Sequence, residues 1–328
     1  MTPSAPDAHG APGRIRIFGE VLATDRSLPG LPVDPISGDG QSYFWHLETV
    51  DSVDAAIAHS DGARILGRLD YSSGVVVTLA MSATGPEVVI SDTGRFSFSA
   101  DGRRIAHLAP RHVDRAAVAL DLIGVVLPVA LHWSGAWCVH ASAVQTPNGA
   151  IAFIAERGTG KSTLAAAFVK LNCSLVADDV VVLRETAAGI TVTPSGVPLR
   201  LHATTARGVG VSADATDEWG KVRVASVLAR GTLPLDAMYV LQAIDGAASL
   251  ERLPRAPRAA ALALLAHGKI TPLLGGDAAG DALSRCVALA HRATVYDLAV
   301  PRNLARLGSV TSQLLQWHAL AATAGSPA

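Results

Sequence analysis

At 328 residues the chain is long enough to bury a large hydrophobic core, and we expect two domains. Its composition is 49% hydrophobic but only 5% aromatic, which favours an α/β protein with a core of small aliphatic side chains and excludes a disordered chain. The formal net charge of −1 provides no overall field, so we expect neither nucleic acid nor an anionic membrane as a partner.

The first part of the chain is predicted to be rich in β-strands. Residues 1–13 are polar and rich in Pro and Gly, which is typical of a flexible tail. Residues 14–110 contain short runs of β-branched and aromatic side chains separated by turn signals, which predicts an antiparallel N-terminal domain or a β layer leading into the rest. Within it, Tyr43, Phe44 and Trp45 are expected to pack in the core, with a recognition surface as the alternative.

A long apolar segment follows this β-rich region. Residues 116–133 are interrupted by Asp121, Pro128 and His132, and the run is short for a bilayer. We therefore predict a buried helix here rather than a membrane span.

The pattern that organises the remaining chain lies at residues 150–170. Residues 150–154 are apolar and predict a buried strand, and residues 164–170 are Ala-rich and predict a helix. Between them stand Ala155-Glu156-Arg157-Gly158-Thr159-Gly160-Lys161-Ser162-Thr163. A strand, a Gly-containing loop ending in Gly-Lys-Ser and a helix predict a phosphate-binding loop, although Ala155 replaces the glycine that begins the full pattern.

The chemistry of such a loop predicts ATP and Mg²⁺ as cofactors. Backbone N–H groups and the positive end of the helix solvate a polyphosphate, and Gly158 and Gly160 permit the backbone angles that this requires. Lys161 is expected along the outer phosphates and Ser162 on Mg²⁺. The predicted nucleotide-binding residues are Arg157, Gly158, Thr159, Gly160, Lys161, Ser162 and Thr163.

Two consecutive carboxylates follow the helix. The apolar residues 174–177 lead to Asp178 and Asp179 after one helix and a return of the chain, so we expect this strand to neighbour the strand of the loop. One carboxylate can hold Mg²⁺ and the other can accept a proton from an attacking hydroxyl. A solvated Asp-Asp turn is the alternative.

The ordered motifs resemble those of a known family. His140 stands in HASAV, the loop reads RGTGKST, and the carboxylates stand in LVADDVVVL. This set resembles the catalytic core of HPr kinase/phosphorylase-like proteins, closely over 139–183 and more loosely over 184–310. The resemblance implies a variant P-loop fold related to phosphoenolpyruvate carboxykinase over residues 111–322, and a homo-oligomer. The residues after this domain, 323–328, are predicted to be a tail.

The resemblance also implies roles for individual residues. It implies Asp178 as the base that deprotonates the acceptor hydroxyl, Asp179 as a metal-side acid together with Ser162 or as a supporting acid, and His140 on the acceptor side. Lys221 resembles a recurring lysine of the family, and it fits either a phosphate contact or a solvated lysine. The three basic residues Arg252, Arg255 and Arg258 fit either a phosphate contact or a solvated start of a helix.

The remaining elements complete an α/β pattern. We predict a hairpin over 180–193, a loop over 212–224, strands at 237–243 and 294–298, and helices after Pro257, at 283–291 and at 304–321. The three cysteines are scattered and form no Cys-x-x-Cys pair, which indicates buried thiols and a cytoplasmic protein.

These observations predict an ATP-dependent kinase that transfers the γ-phosphoryl group to a hydroxyl. The expected acceptor is a serine of a peptide or protein, with a precursor peptide as one form, or a small hydroxylated metabolite. The Gly- and Arg/Asn-rich signature of HPr kinases is not found over 225–300, which argues against HPr itself as acceptor. The alternatives are a non-catalytic ATP-binding regulator and a carboxykinase-like enzyme acting on a small acid.

Overall fold

The computed structural model describes residues 13–31, 42–216, 221–245 and 250–319. The predicted tails at 1–13 and 323–328 lie outside these residues, except that Gly13 begins the first strand. The chain divides into two compact units: unit 1 holds residues 1–130 and 272–275, and unit 2 holds residues 131–271 and 276–328. The division falls within a helix, whereas the boundary expected from the sequence precedes that helix.

Unit 1 is built on one sheet, in which eight strands are described. Its elements are β1 (Gly13–Ile17), β2 (Glu20–Thr24), β3 (Ser42–Val50), α1 (Val53–Ile57), β4 (Arg64–Asp70), β5 (Val76–Ser82), β6 (Gly85–Ile90), β7 (Gly94–Phe98), β8 (Arg104–Pro110) and α2 (Arg115–Asp121). The strand order is β1-β2-β3-β8-β7-β6-β5-β4.

The sheet is mixed, so the first of the two alternatives expected for this region, an antiparallel domain, is not what the structure has. Strand β3 is parallel to both β2 and β8. After β3 the chain crosses to the far edge of the sheet, where it forms β4. It then returns through four antiparallel pairings, from β4 to β8, so β8 lies beside β3 and runs in the same direction. Side chains along β3 alternate, so Tyr43 and Trp45 are buried as predicted while Phe44 is 41% exposed.

The apolar segment after β8 forms three consecutive helical pieces. These are α2, a π-helical turn at Leu122–Val126 and α3 (Leu127–Trp133). Together, Arg115–Trp133 is long and apolar enough to span a membrane by length and composition, and half of its most apolar window is buried within the fold. A core helix passes the same test, and the buried side chains Leu122, Val126 and Leu127 agree with the predicted buried helix.

Unit 2 contains the motif residues. Its further elements are β9 (Trp137–Val139), β10 (Ala141–Thr146), β11 (Gly149–Ile154), α4 (Lys161–Lys170), β12 (Leu175–Ala177), β13 (Val181–Thr186), β14 (Gly189–Thr193), β15 (Arg200–His202), α5 (Ala203–Val209), β16 (Ala213–Thr216), β17 (Lys221–Val224), β18 (Leu233–Ile244), β19 (Arg252–Pro254), α6 (Pro257–Ala266), α7 (Asp277–Arg292), β20 (Val295–Pro301) and α8 (Leu307–Ala319). The predicted hairpin β13–β14 is confirmed, whereas the loop expected over 212–224 contains strands β16 and β17.

The described strands of unit 2 form a nine-stranded sheet and a small three-stranded sheet. The larger sheet has the order β12-β10-β11-β18-β14-β13-β9, with β20 beside β18 and β19 beside β20. The smaller has the order β15-β17-β16. Strands β11, β18 and β20 are mutually parallel, and helices connect them along the chain. The expectation of a mixed α/β protein is therefore confirmed.

Strand β12 does not neighbour β11, contrary to the expectation from the spacing of the motifs. Strand β10 lies between them and pairs antiparallel with both. It can insert there because a tight turn joins β10 to β11 before the chain enters the loop and α4. The insertion brings a residue of β10 to the first carboxylate, as described below.

Helix α4 is fixed on the sheet by a continuous apolar cluster. Phe168 of α4 is fully buried and stacks on Phe153 of β11, whose ring stacks in turn on Tyr239 of β18. Burying one such aromatic side chain stabilises the fold by about 1.5–3 kcal/mol. This packing holds α4 against the strands of the sheet.

Candidate active site

The loop between β11 and α4, residues 155–160, is here called the glycine loop. Gly158 and Gly160 have φ angles of +84° and +109°, in the region that strains any residue with a side chain. Helix α4 begins at Lys161, directly after Gly160, rather than at residue 164 as predicted. The first turn of α4 therefore starts at the end of the glycine loop, and its N-terminal N–H groups favour an anion at this position.

Lys161 is folded into the glycine loop. The side chain is 6% exposed, and Nζ donates to the backbone oxygen of Ala155 at 2.6 Å and to that of Glu156 at 3.2 Å. Burial lowers the pKa of Lys161, and the negative charges of Asp178 and Asp179 act in the opposite direction. The ammonium group thus lies inside the loop, next to both carboxylates of the motif.

Asp178 links the helix to the neighbouring strand. Its Oδ1 accepts a hydrogen bond from Ser142 Oγ at 2.6 Å and another from Ser162 Oγ at 2.8 Å. Burial raises the pKa of Asp178, and these two hydroxyl groups oppose the increase. Ser162 lies in the first turn of α4 and Ser142 on β10, so one carboxylate oxygen joins the two elements.

Asp179 is half exposed, at 54% of its side chain. Its φ of +67° is in the left-handed region, which Asp tolerates better than most residues. Lys269 Nζ donates to Oδ2 at 3.0 Å, and His140 Nδ1 lies 3.5 Å from Oδ1. Burial acts to raise the pKa of Asp179, but Lys269 and His140 outweigh it and lower the pKa to about 2. The carboxylate is therefore ionised at neutral pH.

His140 follows β9 and is uncharged at neutral pH. Burial lowers its pKa to about 4, although Asp179 acts to raise it. Its backbone N–H donates to the oxygen of His267 at 2.7 Å, and the N–H of Lys269 donates to the oxygen of Cys138 at 2.9 Å. Residues 267–269 therefore lie along the end of β9, and His267 Nε2 is 4.0 Å from Glu156 Oε1 in the glycine loop.

The structure brings together five of the residues singled out in the sequence, namely Lys161, Ser162, Asp178, Asp179 and His140. Arg157, Gly158, Thr159 and Gly160 lie in the glycine loop, and Thr163 lies in the first turn of α4. Lys221, at the start of β17, is close enough to lower the pKa of both carboxylates.

Two members of the predicted basic cluster are engaged elsewhere. Arg252 stacks on the rings of Tyr296 and Trp317, and Arg255 pairs with Asp297.

Three residues at this site were missed by sequence reasoning. Ser142 was visible only as a polar residue in an otherwise apolar strand, two positions after His140. Lys269 and His267 belong to no motif. They reach the site through the pairing of residues 267–269 with β9. A long-range pairing of this kind leaves no local signal in the sequence.

The oxygen atoms of Ser162 and Asp178 fit a hard divalent cation. Mg²⁺ prefers oxygen ligands and is commonly held by one or two protein side chains together with waters and substrate phosphates. The hydroxyl and carboxylate are 2.8 Å apart at the start of α4, beside the loop predicted to bind phosphate. Within the described ranges, no group of three or more His, Cys, Asp or Glu residues is placed to hold a metal ion alone.

No protein-family model matches the chain, and the comparison with curated proteins finds no match. Among solved structures, the chain is similar to the Hpr(Ser) kinase/phosphatase from Coxiella burnetii, with a TM-score of 0.30 and 12% sequence identity. The match covers 57% of this chain and 98% of that one. The function proposed below rests on the contacts of this chain's own residues.

Proposed function

We propose that unit 2 is a variant P-loop kinase core that transfers the γ-phosphoryl group of ATP to a hydroxyl group. One observation carries the proposal. The carboxylate of Asp178 accepts from Ser162 at the start of α4, next to the buried ammonium group of Lys161 and the exposed carboxylate of Asp179. A phosphate-binding loop, a cation, a pair of oxygen ligands for Mg²⁺ and an ionised proton acceptor are the parts that phosphoryl transfer requires.

In this proposal the glycine loop and Lys161 hold the phosphates. The backbone N–H groups at the start of α4 contact them, and Lys161 exchanges the loop oxygens that it now contacts for phosphate oxygens. Ser162 and Asp178 would hold Mg²⁺, which when bound offsets the negative charge on the phosphate oxygens. Ser142 supports Asp178 from the side of β10.

The contacts favour exchanging the roles that the resemblance implied for the two carboxylates. Asp178 is bound to Ser162 and Ser142, which suits the metal side, whereas Asp179 is half exposed and ionised at neutral pH. We therefore assign the metal side to Asp178 and the acceptor side to Asp179 with His140. A proton acceptor with a pKa of about 2 is weak, but phosphoryl transfer depends more on positioning than on a strong base.

The proposed step is a direct displacement. The acceptor oxygen forms a bond to the γ-phosphorus while the bond between that phosphorus and the bridging oxygen of ADP breaks. The proton of the acceptor hydroxyl passes to Asp179, and ADP leaves with the bonding electrons. The acceptor class stays as predicted: a serine of a peptide or protein, or a small hydroxylated metabolite. The homo-oligomeric state and the cytoplasmic location also stay predictions.

The experiment is phosphate transfer from γ-labelled ATP with Mg²⁺ to a pool of serine-containing peptides and to free serine. The wild type is compared with Lys161→Ala and with Lys170→Ala, which removes one lysine from the other end of the same helix. We expect label in an acceptor for the wild type and Lys170→Ala, and its loss in Lys161→Ala. ATP binding without label in any acceptor would indicate a nucleotide-binding regulator instead.

A further inference from the structure

We infer that Lys269 is a positioning residue for the proposed reaction: it orients the carboxylate of Asp179 so that Oδ1 receives the proton of the acceptor. The inference rests on the proposed function and adds to it a residue outside every recognised motif. Three features carry it: the way in which the backbone fixes Lys269, its contact with one oxygen of Asp179, and the conformation of Asp179.

The backbone holds Lys269 at a fixed place on the sheet. Its N–H donates to the oxygen of Cys138 at 2.9 Å, and Val139 pairs with Gly268 as an antiparallel bridge. Strand β9 also pairs with β13, where Val139 faces Val181 two residues after Asp179. His140 directly follows β9, Asp179 stands two residues before β13, and Lys269 follows the bridge residue Gly268 that pairs with β9. Backbone hydrogen bonds therefore fix where these three residues lie relative to one another.

The lysine side chain contacts one oxygen of the carboxylate. It is 14% exposed, and Nζ donates to Asp179 Oδ2 at 3.0 Å. The other oxygen, Oδ1, lies 3.5 Å from His140 Nδ1, which is beyond a strong hydrogen bond. Lys269 thus occupies Oδ2 and leaves Oδ1 available to an incoming hydroxyl on the exposed side of Asp179.

Asp179 adopts a backbone conformation that needs support. Its φ is +67°, and among the described non-glycine residues only Phe18 and Asn172 also have a positive φ. Such angles persist where the surrounding contacts hold them, and they occur often at functional sites. The ion pair with Lys269 is a contact of that kind, and it opposes rotation of the carboxylate away from the acceptor.

Other positive groups at the site have separate tasks. Lys161 contacts the carbonyl oxygens of the glycine loop, and Lys221 acts on both carboxylates from the start of β17. Removing Lys269 should therefore leave the ATP site intact and affect the transfer step. A purely structural ion pair would instead change stability without separating kcat from ATP binding.

The test measures kcat and ATP affinity separately for Lys269→Met, Lys269→Arg and the matched control Lys170→Met. The assay uses γ-labelled ATP, Mg²⁺ and the serine-peptide pool, and thermal unfolding confirms that each variant is folded. We expect Lys269→Met to lower kcat by roughly 10- to 100-fold, a part of the 10²- to 10⁴-fold that a positioned proton acceptor contributes. Its Kd for ATP should change by less than about threefold, and Lys269→Arg should keep most of the activity because it keeps the charge and the donors.

A double-variant cycle tests whether Lys269 acts through Asp179. In the Asp179→Asn background, Lys269→Met should have little further effect on kcat, because the group that it positions is already lost. If thermal unfolding shows that Lys269→Met is only partly folded, Lys269→Gln replaces it in both backgrounds.

The outcomes separate this inference from the proposed function. Absence of transfer by the wild type overturns both. Transfer by the wild type with an unchanged kcat in Lys269→Met overturns the role of Lys269 and leaves the kinase proposal standing. Equal, additive losses in the two backgrounds, or a loss of ATP binding as large as the loss of kcat, also overturn the positioning role.

Discussion

Replacing Ser142 by alanine tests whether Asp178 is a charged group held by two hydroxyls. Ser142 is fully buried, and its hydroxyl donates to Asp178 Oδ1 at 2.6 Å. A hydrogen bond to a charged group contributes about 1.5–3 kcal/mol. We therefore expect Ser142→Ala to lower the free energy of unfolding by about this amount near pH 8, measured by urea denaturation with EDTA present.

The pH dependence gives the sharper readout. Burial raises the folded-state pKa of Asp178 above its unfolded value, so its ionised form costs stability at high pH and this cost disappears as the pH falls through the folded-state pKa. Loss of the Ser142 donor raises that pKa further. The stability difference between wild type and Ser142→Ala should therefore be largest near pH 8 and smaller at a pH below the folded-state pKa of Asp178.

Ser195→Ala is the matched control for this measurement. Ser195 is also buried, but its hydroxyl has only long hydrogen bonds to uncharged backbone: it donates to the oxygen of Val197 at 3.4 Å and accepts from the N–H of Val197 at 3.3 Å. We expect a smaller loss, about 1 kcal/mol or less, that is the same at both pH values. A loss in Ser142→Ala that does not change with pH would refute the reasoning, since the destabilisation would not then arise from the carboxylate.

Three further predictions follow from other described contacts. Burial lowers the pKa of His107 to about 4, so the free energy of unfolding of unit 1 should fall by about 3 kcal/mol as the pH decreases from 6.5 to 4. In urea denaturation, His107→Phe should flatten this pH dependence. An unchanged slope would contradict the assignment to His107. Gly160→Ala places a side chain at a φ of +109°, so we expect the free energy of unfolding to fall by about 1–3 kcal/mol and ATP binding to weaken. An unaltered Tm and an unaltered Kd for ATP would exclude this strain. Tyr239→Phe removes the hydroxyl that lies 2.6 Å from Nε2 of the buried His318. Thermal unfolding should therefore show a loss of stability of about 1–3 kcal/mol, while ATP binding is kept. Loss of ATP binding in a folded variant would show instead that the contact between Tyr239 and His318 supports the nucleotide site.

The local part of the site could be predicted from the sequence because its signals are local. The apolar strand, the two glycines, Lys161 and Ser162, and the helix are consecutive, and the structure places them as strand β11, the glycine loop and α4. The consecutive carboxylates also mark the end of a strand, since β12 ends at Ala177. Each of these follows from residue type and spacing within a short segment.

The rest of the site depends on the order of strands, which short-range patterns do not specify. The spacing of the motifs could not show that β10 lies between β11 and β12, and so Ser142 received no role. Lys269 reaches Asp179 through pairing with β9, more than a hundred residues earlier in the chain. For the same reason, the parallel pairing of β3 with β8 could not be predicted, because the residue pattern of a single strand does not show which strand it pairs with or in which direction.

The proposed assignment has Asp178 on the metal side and Asp179 on the acceptor side of a phosphate-transferring site. It is tested most directly by comparing Mg²⁺-dependent ATP binding and γ-phosphate transfer in Asp178→Asn and Asp179→Asn. We expect Asp179→Asn to bind Mg²⁺ and ATP as the wild type does but to transfer phosphate about 10²- to 10⁴-fold more slowly. Asp178→Asn should lose the dependence of ATP binding on Mg²⁺. Transfer by Asp179→Asn at the wild-type rate, or the two effects exchanged between the variants, would contradict it.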